Sequence, residues 1–249
     1  MPNYGDAKYW DDRYKLKETT FDWLENWSDI KDLTEKYAIG TTQKQSLSVL
    51  NLGCGNSLLP EDMYDEGYTN IKNMDISSVC IDQMRLRNEQ IRPKMSWEVM
   101  DVRELMYPDA TFDLIIDKST IDALLCGMFA YVNVAIMMKE CQRVLKTGGV
   151  YMAVSYGTPE NRELHFLQKH LHFELKTFQI EKKHPHGPSS VHHVYICTKI
   201  SNNHDENFPL VLRELKLEME ADQRSELNMV PSEEITEQLD EILKIYGKI

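Results

Sequence analysis

Five short apolar segments alternate with helix-like segments between residues 46 and 156, and this alternation restricts the fold more than any other feature of the chain. Each segment is bounded by polar residues or glycine, which is typical of strands buried on both faces. Strands that alternate with helices form mostly parallel sheets covered by helices on both sides. The predicted strands are SLSVLNL (46–52), NIKNMDI (70–76), MSWEVMDV (95–102), FDLIIDK (112–118) and VYMAVSY (150–156).

Two further strands are predicted after residue 172. FELKTFQIEK (173–182) and HHVYICTKI (192–200) flank the loop KHPHGPSS, whose proline and glycine residues suit a hairpin. The sequence therefore predicts an α/β fold with a doubly wound, mostly parallel seven-stranded sheet that ends in an antiparallel hairpin. Helices are expected over EDMYDEGY (61–68), over SSVCIDQMRLRNEQI (77–91), and through Met137 and Met138 as far as Gly148 and Gly149.

Composition divides the chain into three regions. Residues 1–45 are rich in aromatic side chains, residues 46–200 carry the predicted sheet, and residues 201–249 hold twelve acidic residues against five basic ones. The acidic region contains a predicted helix, EEITEQLDEILKIYGKI, and the pattern leaves open whether it packs on the sheet or on another molecule. Its apolar stripe consists of Ile235, Leu239, Ile242, Leu243 and Tyr246.

The formal net charge of −12 restricts the partners of the chain. A negative surface repels a phosphate backbone, so we expect no nucleic-acid binding and favour a basic protein partner. The sequence has no run of about 18 apolar residues and its first residues are polar, so we expect no membrane segment and a cytoplasmic protein. The five cysteines are scattered without a CxxC pair, which predicts free thiols.

Four histidines cluster around the predicted hairpin loop: His184, His186, His192 and His193. Imidazole is a common metal ligand, so a metal site is one interpretation of this cluster. The sequence offers no cysteine or carboxylate at a suitable spacing from these histidines. We therefore predict no metal site and interpret the loop as a polar segment that faces the substrate.

A glycine-rich turn follows the first predicted strand, at Gly53-Cys54-Gly55. Glycine adopts left-handed backbone conformations easily and lets a ligand approach the bare backbone. This arrangement is shared by Rossmann-like dinucleotide enzymes and by methyltransferases that use S-adenosylmethionine. The dinucleotide fingerprint requires a third glycine, and Leu58 stands at that position instead. A sulfonium cofactor without phosphates is therefore favoured.

Two acidic residues lie at the carboxyl ends of two successive predicted strands, which meet at the same edge of a parallel sheet. Asp75 ends the second strand, where a carboxylate accepts hydrogen bonds from ribose hydroxyls. Asp101 ends the third strand and is positioned to accept a hydrogen bond from an adenine amino group, with Val102 against the ring. The alternative is that both acids are ordinary turn residues, which is a common role of aspartate.

Four segments of the chain resemble a known family: LNLGCGNS, MDIS, MDV and FDLIIDKSTIDALL. They are similar to the class I, seven-β-strand methyltransferases, and within these to the elongation factor 1-alpha lysine methyltransferases. Members of that group carry D/E-K-G-T-L-D-A after the fourth strand, and this chain has DKSTIDA (117–123), with serine in place of glycine. YWDDRYK followed by FDW resembles the opening of the group. The resemblance extends from about Tyr9 to Lys199, so the acidic region lies outside it.

The resemblance implies which residues hold the cofactor, S-adenosylmethionine, and implies that residues 1–45 form a lid over it. Aromatic faces attract a sulfonium cation and exclude water. The alternative is that the aromatic residues only pack an N-terminal helix against the sheet. The implied residues are Trp10, Tyr14 and Trp23 in the lid, Gly53 and Gly55 beneath the cofactor, Asp75 and Ile76 at the ribose, Asp101 and Val102 at the adenine, and Lys118 beside the methionine part.

The resemblance thus implies a methyltransferase that modifies a lysine side chain of a protein, with a basic translation elongation factor as the favoured substrate and S-adenosylhomocysteine as the product. Direct displacement requires alignment rather than a covalent intermediate, so no catalytic residue is predicted. Asp117, Asp122 and Tyr156 are predicted on the substrate side, although each could equally cap a helix or satisfy the backbone.

Three other functions remain open at this point. A methyltransferase acting on a small molecule or on another protein residue would use the same cofactor half, because a fold does not determine function. A catalytically silent, methyltransferase-like module could bind a partner through the acidic region. An NAD-dependent oxidoreductase is disfavoured by the missing third glycine.

Overall fold

The computed structural model describes residues 4, 6–16, 19–39, 43–182, 189–201, 208–227 and 233–246. In the last two segments it describes side chains at residues 208–217, 237, 239–242, 244 and 245. The α-helices of the described residues are α1 (Ala7–Leu16), α2 (Trp27–Thr34), α3 (Leu59–Asp65), α4 (Ser78–Asn88), α5 (Thr120–Leu125), α6 (Ala130–Val144), α7 (Pro159–Phe166), α8 (Phe208–Leu227) and α9 (Glu233–Tyr246). The strands are β1 (Val49–Leu52), β2 (Ile71–Asp75), β3 (Ser96–Val99), β4 (Phe112–Lys118), β5 (Leu145–Ser155), β6 (Phe173–Lys182) and β7 (Ser190–Lys199).

The strands form one seven-stranded sheet in the order β3-β2-β1-β4-β5-β7-β6. Strands β1 to β5 are parallel, and β7 lies antiparallel between β5 and β6. Val49 of β1 pairs with Ile71 on one side and Leu114 on the other, so the connections reverse direction at β1. Open α/β sheets bind ligands at the carboxyl ends of the strands at such a reversal. The predicted fold class is confirmed.

Both faces of the sheet are buried. Consecutive residues of the central strands point to opposite faces, and on each face they pack against helices. Leu114 and Ile116 of β4 pack into a cluster with side chains of α1 to α4. Ile115 between them packs into a second cluster with side chains of α5, α6 and α7. The continuous apolar run in FDLIIDK reflects this two-sided burial.

One predicted helix boundary is wrong. The helix expected to continue to Gly148 and Gly149 ends at Val144, and the chain enters β5 at Leu145. Leu145 is fully buried and pairs with Phe112, and its carbonyl oxygen accepts a hydrogen bond of 2.7 Å from the ammonium of Lys199. Burial and strand pairing therefore decide the conformation here, and the two glycines occupy an irregular start of the strand.

The acidic region contains two helices, whereas the sequence analysis predicted one. The predicted helix corresponds to α9, and α8 was not expected. Side chains of α8 pack against Val132, Ala135 and Ile136 of α6. Of the predicted apolar stripe, the structure describes Leu239 and Ile242, and both pack within the chain. The remaining side chains of the stripe, those of Ile235, Leu243 and Tyr246, lie outside the described residues.

Two further expectations concern the whole chain. All five cysteines are free thiols, as predicted, and Cys126 is the exposed one. Among the helices that the structure describes, none is long and apolar enough to cross a lipid bilayer.

Candidate active site

A cavity of about 500 Å³ opens at the carboxyl ends of β1, β2 and β4. All ten residues that the resemblance implies for the cofactor line this cavity, together with Asp122 and Tyr156. These residues come from separate parts of the chain, and the reversal of the sheet at β1 brings them together. Tyr4, Phe21, Arg103, Asn133 and Ile242 also line the cavity and were missed by the sequence analysis.

The glycine turn after β1 forms one side of the cavity. Gly53 and Gly55 have left-handed backbones, with φ of 61° and 53°. A Cβ on Gly53 would lie 2.1 Å from Oγ1 of Thr120, and a Cβ on Gly55 would lie 2.9 Å from the hydroxyl oxygen of Tyr14. Both positions therefore need glycine for conformation and for space, and the turn presents bare backbone to the cavity.

Asp75 lies at the end of β2 and is buried. One carboxylate oxygen accepts a hydrogen bond of 2.8 Å from the amide of Gly55, and the other accepts one of 2.9 Å from the amide of Ser77. Burial raises the pKa of Asp75, while these backbone amides oppose that rise. Each carboxylate oxygen has a second lone pair, so Asp75 can accept further hydrogen bonds from ligand hydroxyls.

Asp101, after β3, is held by Arg103. The carboxylate accepts hydrogen bonds of 2.8 Å from the amide of Arg103 and of 2.6 Å from its Nη2. Nη1 of Arg103 donates to the side-chain oxygen of Asn133 across 3.0 Å. Asp101, Arg103 and Asn133 thus form one connected polar wall, and an adenine contact for Asp101 stays a prediction.

Aromatic residues of the N-terminal segment form another wall of the cavity. The rings of Trp10 and Tyr14 stack at a centroid distance of 5.9 Å, and those of Phe21 and Trp23 meet edge-on at 5.2 Å. The guanidinium of Arg13 lies 5.8 Å from the ring of Trp10 and 5.2 Å from that of Trp23. This wall already contacts one cation through its aromatic faces, which is the chemistry that a sulfonium needs.

Lys118 connects β4 to the N-terminal segment. Its ammonium donates to a carboxylate oxygen of Asp22 across 2.9 Å and to the carbonyl oxygen of Trp23 across 3.0 Å. Burial lowers the pKa of Lys118, while the nearby Asp22 opposes that shift. Asp22 also accepts a hydrogen bond from the hydroxyl of Ser57. Asp22 was missed as a site residue, although it stands in the FDW segment that carries part of the resemblance.

Asp117 does not line the cavity. The structure therefore does not place it on the substrate side, where the sequence analysis had put it. It is fully buried and accepts hydrogen bonds from the amides of Thr120 (2.8 Å) and Ile121 (3.1 Å) at the start of α5. The hydroxyl of Tyr151 donates to it across 2.7 Å. Burial raises the pKa of Asp117 to about 7. Its role is to cap a helix, the alternative that the sequence left open.

Asp122 and Tyr156 reach the cavity in different ways. The carboxylate of Asp122 accepts hydrogen bonds of 2.7 Å from Nη2 of Arg162 and of 2.6 Å from the hydroxyl of Ser155. Tyr156 is 58% exposed and lies at the rim. Asp122 is therefore fixed by an ion pair, whereas the side chain of Tyr156 is largely open to solvent.

A buried charged group supports this rim. Glu25 is fully buried, accepts a hydrogen bond of 3.2 Å from the ammonium of Lys182, and lies 2.6 Å from Nδ1 of His192. The ring of His192 meets the ring of Tyr156 edge-on at 5.0 Å. Glu25 thus joins the N-terminal segment to the β6–β7 hairpin beside Tyr156. The sequence analysis missed Glu25 because its partners are far away in the chain.

The predicted histidine cluster is only partly described. His192 and His193 lie in β7 and are buried, so these two do not belong to a substrate-facing loop. His184 and His186 lie outside the described residues. Within the described part of the chain, no three His, Cys, Asp or Glu side chains are grouped as a metal site requires.

The residues of the cavity fit S-adenosylmethionine. Gly53 and Gly55 line the cavity without a side chain, because a Cβ at either position would collide with Thr120 or Tyr14. Asp75 and Asp101 provide carboxylate acceptors for hydroxyl and amino groups. The aromatic wall provides the faces that attract a cation. A volume of about 500 Å³ lies in the range of small-molecule sites.

Comparison with known proteins identifies the class to which this fold belongs. The methyltransferase domain family matches residues 50–153. The crystal structure of an S-adenosylmethionine-dependent methyltransferase from Methanosarcina mazei aligns with a TM-score of 0.55 at 18% identity, covering 72% of this chain and 99% of that one. At this identity the likeness shows the fold alone.

Curated relatives are more specific. The eEF1A lysine and N-terminal methyltransferase of Mus musculus is 37% identical over 181 residues, which are 71% of this chain and only 24% of that protein. The EEF1A lysine methyltransferase 4 of Bos taurus is 31% identical over 183 residues, which are 70% of this chain and 69% of that protein. The chain belongs to the methyltransferase family that includes these EEF1A lysine methyltransferases.

Proposed function

We propose that this chain is an S-adenosylmethionine-dependent methyltransferase that modifies a lysine side chain of a protein, with elongation factor 1-alpha as the favoured substrate. One observation carries the proposal: the ten residues implied for the cofactor line a single cavity at the carboxyl ends of the strands. The names of the relatives support the choice of substrate.

The cofactor residues divide by chemistry. Asp75 accepts hydrogen bonds from the ribose hydroxyls beside Ile76, and Asp101 accepts one from the adenine amino group beside Val102. Gly53 and Gly55 leave space for the amino-acid part, with Lys118 beside it. Trp10, Tyr14 and Trp23 cover the site, so residues 1–45 act as a lid on the methyltransferase domain, residues 46–200.

When bound, S-adenosylmethionine supplies the methyl group, and S-adenosylhomocysteine remains. The acceptor lysine must lose its ammonium proton to solvent first, because its free pKa is about 10.4. An apolar rim favours the neutral amine, and Phe21, Met128 and Tyr156 supply that rim with exposed fractions of 51%, 56% and 58%. The residues of this chain then align the amine with the methyl group, which accounts for much of the rate in a direct displacement.

The charge of the chain supports a basic protein substrate. A net charge of −12 attracts a positively charged partner over several ångströms at physiological salt. Translation elongation factors act in the cytoplasm, so we place this chain there as well. Asp122 and Tyr156 lie on the substrate side of the cavity in this proposal.

Calorimetric titration with S-adenosylhomocysteine tests the cofactor half of the proposal. We expect the wild type to bind and Asp75→Ala to bind at least about tenfold more weakly, because two hydroxyl partners lose a carboxylate acceptor. Asp82→Ala is the matched control, because Asp82 is an exposed acid on α4. If the folded wild type does not bind, the methyltransferase proposal fails.

Methyl transfer from labelled S-adenosylmethionine to purified elongation factor 1-alpha tests the substrate half. We expect label on a lysine of the factor with the wild type and a strong reduction with Asp75→Ala. Label on a small molecule, or on a residue other than lysine, would instead favour a methyltransferase with a different kind of substrate. Binding of the cofactor product without transfer to any acceptor in a lysate would favour a catalytically silent binding module.

A further inference from the structure

The last helix of the acidic region reaches the cofactor cavity. Ile242 of α9 lines the cavity and packs on an apolar cluster that includes Phe129 and Leu239. The family resemblance ends at about Lys199, so it implied no cofactor residue in this part of the chain. The sequence alone also left open whether α9 packs on another molecule.

Among the described side chains, apolar packing and an ion pair hold α9 in place. Leu239, one turn before Ile242, is 3% exposed. The ammonium of Lys216 in α8 pairs with the carboxylate of Asp240, which joins the two helices. The buried residues of α8 that hold the pair against α6 are Phe208, Val211, Leu212 and Leu215.

Phe129 belongs to the apolar cluster on which Ile242 packs, and both residues line the cavity. Phe129 is buried and directly precedes α6, with a left-handed backbone of φ 56°. Asn133, in the first turn of α6, donates to the carbonyl oxygen of Met128 across 2.9 Å and accepts from Arg103, which holds Asp101. The amide of Asn133 also donates to the carbonyl oxygen of Phe129 across 2.9 Å, so the apolar cluster beneath Ile242 is joined to the polar wall that contains Asp101.

We propose that Ile242 is a cofactor-binding residue and that α9 forms a wall of the cofactor site. This inference rests on the proposed function, because it concerns the same cavity. An isoleucine at this position buries apolar ligand surface and excludes water from the cavity. The acidic region then acts on the affinity of the cofactor site, in addition to any attraction that it exerts on a basic substrate.

The test compares two isoleucines of the same helix in the 249-residue chain. Ile245 lies three residues after Ile242 and is 57% exposed, so Ile245→Ala removes the same atoms outside the cavity. Titration with S-adenosylhomocysteine is expected to show binding about fivefold weaker for Ile242→Ala. Ile245→Ala is expected to bind like the wild type, and the loss in Ile242→Ala should appear as faster dissociation.

Thermal unfolding without ligand shows whether each variant is folded. If Ile242→Ala does not fold, Ile242→Val replaces it and should bind more weakly than the wild type. A dissociation constant within about twofold of the wild type for a folded Ile242 variant, or an equal loss in Ile245→Ala, overturns the inference while leaving the proposed function intact. Absence of binding by the wild type overturns the proposed function itself, so the two failures are distinguishable.

Discussion

The ammonium of Lys118 lies 2.9 Å from a carboxylate oxygen of Asp22, and this ion pair joins the end of β4 to the segment that carries Trp23. The side chain of Lys118 is 7% exposed and that of Asp22 is 23% exposed. Because Asp22 also binds Ser57 beside the glycine turn, one carboxylate holds three walls of the cavity together.

Breaking this pair is expected to destabilise the fold. Asp22→Asn and Lys118→Met should each lower the free energy of unfolding by about 3 kcal/mol, because each leaves a largely desolvated charge without its partner. The double variant should lose less than the sum of the two. Urea denaturation of the four proteins measures the coupling energy directly.

An exposed ion pair provides the control for this cycle. Lys8 and Asp12 lie 2.6 Å apart with side chains that are 79% and 51% exposed. Water screens that pair, so its coupling energy should be much smaller than that of the Lys118–Asp22 pair. Equal coupling in the two cycles would contradict a special role for the Lys118–Asp22 pair.

Gly55→Ala should disturb ligand binding through Tyr14. The substitution places a Cβ 2.9 Å from the hydroxyl oxygen of Tyr14, so this ring of the lid must move. We expect S-adenosylhomocysteine to bind at least about tenfold more weakly, a loss of about 1.4 kcal/mol. Calorimetric titration measures it.

Gly148→Ala separates backbone strain from displacement of Tyr14. Gly148 has φ of 82° and an open space at the Cβ position, so alanine there is strained without meeting another atom. Both variants should lose about 1–2 kcal/mol of stability from the left-handed backbone. Only Gly55→Ala should lose affinity, and a similar loss in Gly148→Ala would argue against the contact with Tyr14.

Ser119 occupies the position at which the resembled family has glycine, and its backbone is left-handed, with φ of 70°. Ser119→Gly should therefore raise the free energy of unfolding by about 0.5–1 kcal/mol, after the greater freedom of glycine in the unfolded chain is subtracted. Its hydroxyl donates a bond of 3.3 Å to Asp122, which is lost in the same change.

Ser119→Ala resolves these two effects. Alanine keeps the strained backbone and loses the hydroxyl, so this variant should be no more stable than the wild type. Urea denaturation of the three proteins gives the order. A destabilised Ser119→Gly would show that the bond to Asp122 outweighs the backbone strain.

His165 should make stability depend on pH. It is 1% exposed, and burial, together with the charge of Arg162, lowers its pKa to about 4. The unfolded chain binds a proton at this histidine below about pH 6.5. The contribution of His165 is therefore complete above pH 6.5 and is lost as the pH falls toward 4, by up to about 3 kcal/mol.

His165→Gln removes this titration. Between pH 7 and pH 4.5 the wild type should lose more unfolding free energy than the variant, as measured by urea denaturation at each pH. The difference between the two proteins isolates His165 from the carboxylates that titrate in the same range. Parallel pH profiles would show that the folded state protonates His165 as easily as the unfolded chain does.

Much of the architecture follows from local patterns. FDLIIDK and FELKTFQIEK coincide with β4 and β6 to the residue. An apolar run bounded by polar residues marks β4, and a largely alternating pattern of apolar and polar residues marks β6. The glycines of the turn and the acids at the strand ends lie in the cavity wall as expected, because the carboxyl ends of parallel strands meet at one edge. Local patterns failed at Leu145, where pairing with Phe112 ends the helix early.

The sequence by itself determined the sheet, the glycine turn and the strand-end acids, because spacing along the chain encodes them. Tertiary structure decided which charged groups pair. Asp22 pairs with Lys118, and Glu25 contacts His192, although each pair is far apart in the sequence. The packing of the elements also buries Asp117, which caps α5, and places Ile242 in the cavity wall. A side chain's partners depend on how distant elements pack, and spacing within one segment carries no record of that packing.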